Sequence, residues 1–184
     1  MTRIVAGVAG GRRLVVPDGP TRPTSDRARE GLFSTVTSLW GPLDGARVLD
    51  LYAGSGAVGL EAASRGAERV LLVESSPSAV RAIRDNIAAL GLPGTQVLAT
   101  TVEKAVAGEP PDAFDVVFLD PPYALAGGAV VAVLEALLAG GWLGRDALVA
   151  VERSTRGGGF EWPEGLAPLR ERRYGEGTIW YARG

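Results

Sequence analysis

The sequence predicts an α/β protein built on a doubly wound, mostly parallel sheet of seven strands. An antiparallel C-terminal strand and an N-terminal β-hairpin arm complete it. Three observations predict this fold. From residue 46 onward, short β-rich runs alternate with stretches of helical periodicity. A glycine-rich turn follows the first of those runs and a proline-rich turn follows the fourth. The last two runs flank Gly175-Glu176-Gly177, which reads as a hairpin turn rather than a crossover.

Residues 3–8 and 12–16 are β-rich and are separated by Ala9-Gly10-Gly11, which predicts the arm. Pro17, Pro20 and Pro23 mark an extended linker. Thr24 or Ser25 is placed to cap a helix, and Ala28, Leu32, Phe33, Val36 and Leu39 recur at helical spacing until Gly41-Pro42. Strands are expected at 47–52, 69–74, 95–100, 114–119 and 147–152, with helices at 57–66, 77–90, 102–107 and 127–139. Pro77 suits a first helical turn and Gly91 a helix end. Repeated βα units imply parallel strands with helices on both faces and right-handed crossovers. Runs at 169–174 and 178–182 add the antiparallel hairpin. The expected organisation is a basic appendage over residues 1–41 and a larger domain over 42–184.

Composition narrows the chemistry. The chain has no Cys and no His, which excludes disulfides, Cys/His zinc sites, Ser-His and Cys-His nucleophiles and a histidine base. No metal site is expected. The net charge is −2, but residues 1–41 carry six Arg against three acids, whereas 42–144 carry six bases against twelve acids. A basic arm on an acidic body is compatible with a polyanionic partner. A solvated hairpin that merely shields a sheet edge is the plainer alternative. No run of 18 apolar residues and no leader pattern is present, so a cytoplasmic protein is expected, a monomer by default.

The first strand of the alternating region runs into Asp50-Leu51-Tyr52-Ala53-Gly54-Ser55-Gly56-Ala57-Val58-Gly59. This contains G-x-G-x-x-G, and Glu74 lies 20 residues beyond Gly54 at the end of the next strand, a spacing that also fits a dinucleotide fingerprint. Asp50 separates the two readings. A carboxylate there would repel a pyrophosphate and attract an ammonium, so S-adenosylmethionine, with a ribose, an ammonium and a sulfonium but no phosphate, suits Asp50 and Glu74 better.

Asp120-Pro121-Pro122-Tyr123 follows the apolar run 114–119, at the C-terminal end of a strand, where open α/β sheets keep their chemistry. The prolines stiffen the tetrapeptide. The carboxylate of Asp120 and the carbonyl of Pro121 are acceptors for the two N–H groups of a nucleobase amine, and Tyr123 offers a stacking face. First and fourth strands are neighbours at the switch point of such a sheet, which would bring both turns to one crevice.

Taken together, Asp50-Leu-Tyr-Ala-Gly-Ser-Gly, Glu74 and Asp120-Pro-Pro-Tyr resemble class I amino-methyltransferases. The blocks Arg3-Ile-Val-Ala-Gly, Gly11-Arg12-Arg13-Leu and Arg22-Pro-Thr-Ser-Asp-Arg-Ala-Arg-Glu-Gly-Leu-Phe33 are similar to the RsmD family, bacterial methyltransferases of a guanine N2 amine in 16S ribosomal RNA. The resemblance implies a Rossmann-like fold. It implies that Asp50, Ala53, Gly54, Gly56, Glu74, Ser75, Thr101, Val102 and Asp120 surround S-adenosylmethionine, and that Asp120, Pro121, Pro122 and Tyr123 carry catalysis. It implies that Arg3, Arg12, Arg13, Arg22, Thr24, Arg27 and Arg29 contact RNA, and that the substrate is a small-subunit assembly particle. Thr101 stands where many relatives carry an acid or amide, which makes Glu103 the alternative side chain for the adenine amine. The competing classes are another base or glutamine amine methyltransferase, a dinucleotide-dependent oxidoreductase and a non-catalytic RNA-binding module.

Overall fold

The structure, a computed structural model, describes residues 1–19, 24–157 and 159–184. The chain order is α1 (Asp26–Leu39), β1 (Arg47–Leu51), α2 (Ala57–Ser64), β2 (Arg69–Glu74), α3 (Pro77–Leu90), β3 (Thr95–Ala99), α4 (Val102–Val106), β4 (Phe114–Leu119), α5 (Gly127–Ala139), β5 (Leu143–Ser154), β6 (Ala167–Tyr174) and β7 (Gly177–Arg183). Ser25 caps α1 by accepting from the Ala28 N–H at 3.1 Å, and Gly91 ends α3 with φ 61°. The seven strands form one sheet in the order β3-β2-β1-β4-β5-β7-β6, with β7 antiparallel to both neighbours. Among the described residues, no helix is long and apolar enough to cross a membrane.

β5 begins earlier than the sequence predicts. A register shift between Phe114 and Val116, and Asp146 at φ 56°, let the polar stretch Gly144-Arg145-Asp146 pass through the strand without disturbing the buried run that follows. Hydrophobic clusters fill both faces. One packs α4 and α5 against the sheet, with Phe114 and Trp142 stacked at 6.0 Å. The other gathers Ile4, Leu14, Leu32, Phe33 and Val36 with Val48, Leu60 and Ile83, so residues of the N-terminal stretch share a core with the larger domain.

The expected arm hairpin forms around one antiparallel bridge, Arg3 with Arg13, flanked by hydrogen bonds from Ile4 N–H to the Arg12 carbonyl and from Leu14 N–H to the Thr2 carbonyl, both at 2.9 Å. The amides of its connecting stretch are taken by α2. Val5 and Ala6 N–H groups donate to the buried Glu61 carboxylate at 2.7 and 2.9 Å, and Ala9 N–H donates to Ser64 Oγ at 2.9 Å. Gly7, at φ +84°, lies so close to this helix that an added Cβ would sit 1.9 Å from the Ser64 carbonyl oxygen. Asn86 of α3 then exchanges two hydrogen bonds with Val15 and donates a third to the Ser55 carbonyl. The linker prolines Pro20 and Pro23 lie outside the described residues.

Candidate active site

The two signature turns meet. β1 and β4 pair in parallel, Asp50 with Phe118 and Leu51 with Leu119, and the Asp120 N–H donates to the Leu51 carbonyl at 3.3 Å. Both turns therefore leave the sheet on the same edge, at its switch point. Between them Tyr52 adopts φ 61°, unusual for a side chain of its size, and its hydroxyl donates to Glu103 at 3.0 Å. Burial and the Glu103 carboxylate push the Tyr52 phenol well up.

The glycine turn is built around two carboxylates. Glu74 accepts from Gly54 N–H through one oxygen and from Ser75 and Ser76 N–H through the other, all at 2.8 Å. Its carboxylate is thus fixed beside Gly54, whose missing side chain leaves open space. Asp50 is buried and accepts from Gly59 N–H at 2.8 Å, in the first turn of α2. Burial, reinforced by the charge of Glu74, pushes Asp50 up to about 7 against the opposing pull of that N–H. Gly59 has no room to be otherwise: a Cβ there would lie 2.8 Å from Leu72 Cδ2 and 3.0 Å from Asp50 Oδ2. Gly56, at φ 81°, starts α2 and packs on Leu72 and Ile83. Ala53 N–H is spent on the Val73 carbonyl at 3.1 Å.

This is a poor phosphate cradle. Anion sites at helix N-termini present free N–H groups. Here a carboxylate already occupies the first turn of α2, and a second one takes the Gly54 N–H. Two fixed carboxylates suit a cation and the paired hydroxyls of a ribose. Thr101 caps α4, its Oγ1 accepting from Lys104 N–H at 3.3 Å, and Val102 is buried. Glu103, the alternative to Thr101, is engaged by Tyr52.

The proline turn lies beside the glycine turn at the same ends of the strands. Asp120 is half-buried, and burial, then Glu152 and Asp50, push its carboxyl well above the usual range. Pro121 is buried, while Pro122 and Tyr123 are exposed. Two residues that sequence reasoning missed hold this turn. Arg153, buried near the end of β5, donates to the carbonyls of Pro122 and Leu125. Glu152 accepts from the Tyr123 hydroxyl at 3.3 Å. The signal was their place at the end of the strand beside β4, since Glu152-Arg153 closes an apolar run just as Asp120 does. The turn between β6 and β7 reaches the same spot: a Cβ on Gly177 would lie 2.6 Å from Glu152 Oε1 and 3.0 Å from the Tyr123 hydroxyl.

The family model described as Conserved hypothetical protein 95 matches residues 2–183. Ribosomal RNA small subunit methyltransferase D of Escherichia coli (strain K12) is 36% identical over 159 residues, covering 85% of this chain and 76% of the relative. The chain belongs to the RsmD family. Among solved structures, the putative methyltransferase yhhF from Escherichia coli superposes with TM-score 0.87 at 31% identity, over 99% of this chain and 97% of that one. An RNA methyltransferase from Salinibacter ruber, in complex with S-adenosyl-L-homocysteine, shares the fold with TM-score 0.66 at 19% identity, over 88% of this chain and 93% of that one.

In this RsmD-family chain the basic residues of the N-terminal stretch divide into two groups. Arg13 and Arg27 are exposed. Arg3 is also exposed but pairs with Asp26 at 3.0 Å, and Arg12 donates to the Ala89 carbonyl. Arg29, expected on RNA, is corrected by its burial: it is fully enclosed, paired with Asp26 at 2.8 Å and facing Glu61 at 4.0 Å, and it donates to the carbonyls of Thr24 and Arg3. Its position on the inner face of α1 makes it an anchor for the arm rather than a phosphate contact. Arg22 lies outside the described residues.

Proposed function

We propose that this chain transfers a methyl group from S-adenosylmethionine to the exocyclic N2 amine of a guanine in 16S ribosomal RNA, during assembly of the small subunit. One observation carries the reading: two carboxylate-bearing turns leave the sheet side by side, Asp50 and Glu74 on the glycine turn and Asp120 on the proline turn, tied together by the hydrogen bond from Asp120 N–H to the Leu51 carbonyl. The RsmD-family relative's name gives the rRNA substrate and the reaction.

When bound, S-adenosylmethionine supplies a methyl group already activated by the sulfonium. Asp50 holds the ammonium, Glu74 the ribose hydroxyls, and the backbone at Thr101 and Val102 borders the base. Asp120 and the Pro121 carbonyl accept the two N–H groups of the target amine and turn its lone pair away from conjugation with the ring. Tyr123, fixed by Glu152, sets the plane of the guanine. The chain's contribution is alignment, with stabilisation of the charge that grows on the amine. The proton that leaves goes to water or to the ionised form of Asp120, whose burial makes that carboxylate a stronger base than usual. The N-terminal appendage over residues 1–41 helps to seat the RNA.

The test is to incubate the protein with S-adenosylmethionine and undermethylated small-subunit particles and to map new methyl groups by mass spectrometry. A single N2-methylguanine in 16S RNA is expected. Methyl transfer to adenine, cytosine or protein would replace this reading with another amine methyltransferase.

A further inference from the structure

We infer that the α1-facing side of β6 is a docking surface for the phosphate backbone of the substrate RNA, an inference that rests on the rRNA reading above. β6 is an edge strand and is largely exposed along its length. Within four residues it carries Arg170, Arg172 and Arg173. The pairing with β7 sorts them by face. Arg170 and Arg172 lie opposite Tyr181 and Ile179, which belong to the cluster packed under α1, while Glu171 and Arg173 lie opposite Trp180 and Thr178 on the other side. Two arginines therefore project from one side of a strand about 7 Å apart, with the intervening acid turned away.

These cations are uncommitted, unlike three of those in the N-terminal stretch. Arg29, Arg3 and Arg12 are spent on Asp26, Glu61 and a helix carbonyl, and so hold the arm to the body. Among the described residues neither Arg170 nor Arg172 has a carboxylate within 4.0 Å, and the Arg172 guanidinium reaches only its neighbour Glu171's carbonyl at 3.5 Å. Arg27 extends the strip. It lies one turn before Gly31 on the same stripe of α1, and Gly31 abuts Tyr174 so tightly that a Cβ there would sit 2.5 Å from the ring.

The strip also leads to the chemistry. β6 ends at Tyr174, and the turn that follows it brings Gly177 against the Tyr123 hydroxyl and Glu152. A strand of RNA held by Arg170, Arg172 and Arg27 would thus be delivered along β6 to the proline turn. Arginine forks fit phosphate oxygens two at a time, and each such contact adds to the salt dependence of binding.

The test compares the full-length protein with R170Q/R172Q, with the lysine pair R170K/R172K, and with R81Q/R84Q on the exposed face of α3 as a control. The probe is the undermethylated small-subunit particle, titrated at several salt concentrations, with S-adenosylmethionine affinity and melting temperature measured on each protein. R170Q/R172Q is expected to lower particle affinity roughly tenfold at low salt and to reduce the slope of log affinity against log salt by about 1.5. Cofactor affinity and melting should stay at the wild-type level, and the lysine pair should keep most of the slope. If R170Q/R172Q behaves like R81Q/R84Q, this surface is not the docking face. Wild-type protein that binds the cofactor but no particle at any salt would instead overturn the rRNA reading, and this surface with it.

Discussion

The Asp120 amide and the Leu51 carbonyl are joined by a hydrogen bond of 3.3 Å, which fixes the proline turn to the strand that feeds the glycine turn. The spacing of the two turns is therefore set by the sheet, not by a loop. This makes the effects of substitutions separable, because a change on one turn need not move the other.

Asp120→Ala is expected to lower turnover by roughly 10²-fold or more while leaving S-adenosylmethionine affinity within a few-fold. Single-turnover kinetics beside calorimetric titration of the cofactor would check it. Equal losses of both would make Asp120 a cofactor residue and remove its role toward the amine.

The raised pKa of Asp50 predicts a pH dependence of cofactor binding, on the proposal that its carboxylate faces the ammonium. Its pKa in the folded chain is raised from 3.8 to about 7, so the folded chain keeps a proton that the unfolded chain releases. That contribution to stability is complete below about pH 4 and is lost as pH rises through 7. A cationic ligand beside Asp50 favours the ionised form, so cofactor affinity should climb between pH 5.5 and 7.5, by up to about tenfold per pH unit at the low end, and then level off. Asp50→Asn should flatten this climb. A wild-type affinity that stays constant across the range would show that Asp50 does not face the ammonium.

Gly59→Ala would normally strengthen a helix by about 1 kcal/mol. Here the new Cβ meets Leu72 and the Asp50 carboxylate, so the expectation reverses: stability falls by about 1–3 kcal/mol and cofactor affinity falls at least tenfold. Thermal melting and calorimetry on the same sample test both halves.

Arg153→Met keeps the bulk of the side chain and removes its donors to the Pro122 and Leu125 carbonyls. Turnover should fall tenfold or more, with cofactor affinity unchanged, since charged hydrogen bonds of this kind contribute about 1.5–3 kcal/mol. A matching fall in melting temperature without any change in turnover would make Arg153 a purely structural residue.

Glu61→Ala strips the partner from two backbone amides and from Arg29 and Arg65. A loss of about 3–5 kcal/mol is expected, and limited proteolysis should then cut within residues 1–19. Resistance equal to wild type would contradict the account of how the arm is held.

Much of this was legible in the residues. Periodicity located each helix and strand to within a few positions, because the central strands are buried on both faces and read as unbroken apolar runs. Asp50, Glu74 and Asp120 stand out because a charged residue at the end of such a run is costly unless it is partnered, while their roles toward cofactor and base belong to the proposal. What could not be read was the partner of each charge. Arg29 and Arg27 sit in the same basic block, two residues apart, yet one faces the core and the other faces solvent. Helix phase decides which, and it depends on Glu61, 32 residues further on. The arm's hairpin was legible, but its seat was not: the amides of Val5, Ala6 and Ala9 find α2, a partner that no local pattern reveals.

Asn86 links what lies on either side of it. Its amide donates at once to Val15, at the base of the arm, and to Ser55, inside the glycine turn. A ligand on the glycine turn that shifts Ser55 would change how firmly the arm is seated. By thermodynamic reciprocity, whatever grips the arm must return the same factor in affinity to the nucleoside side.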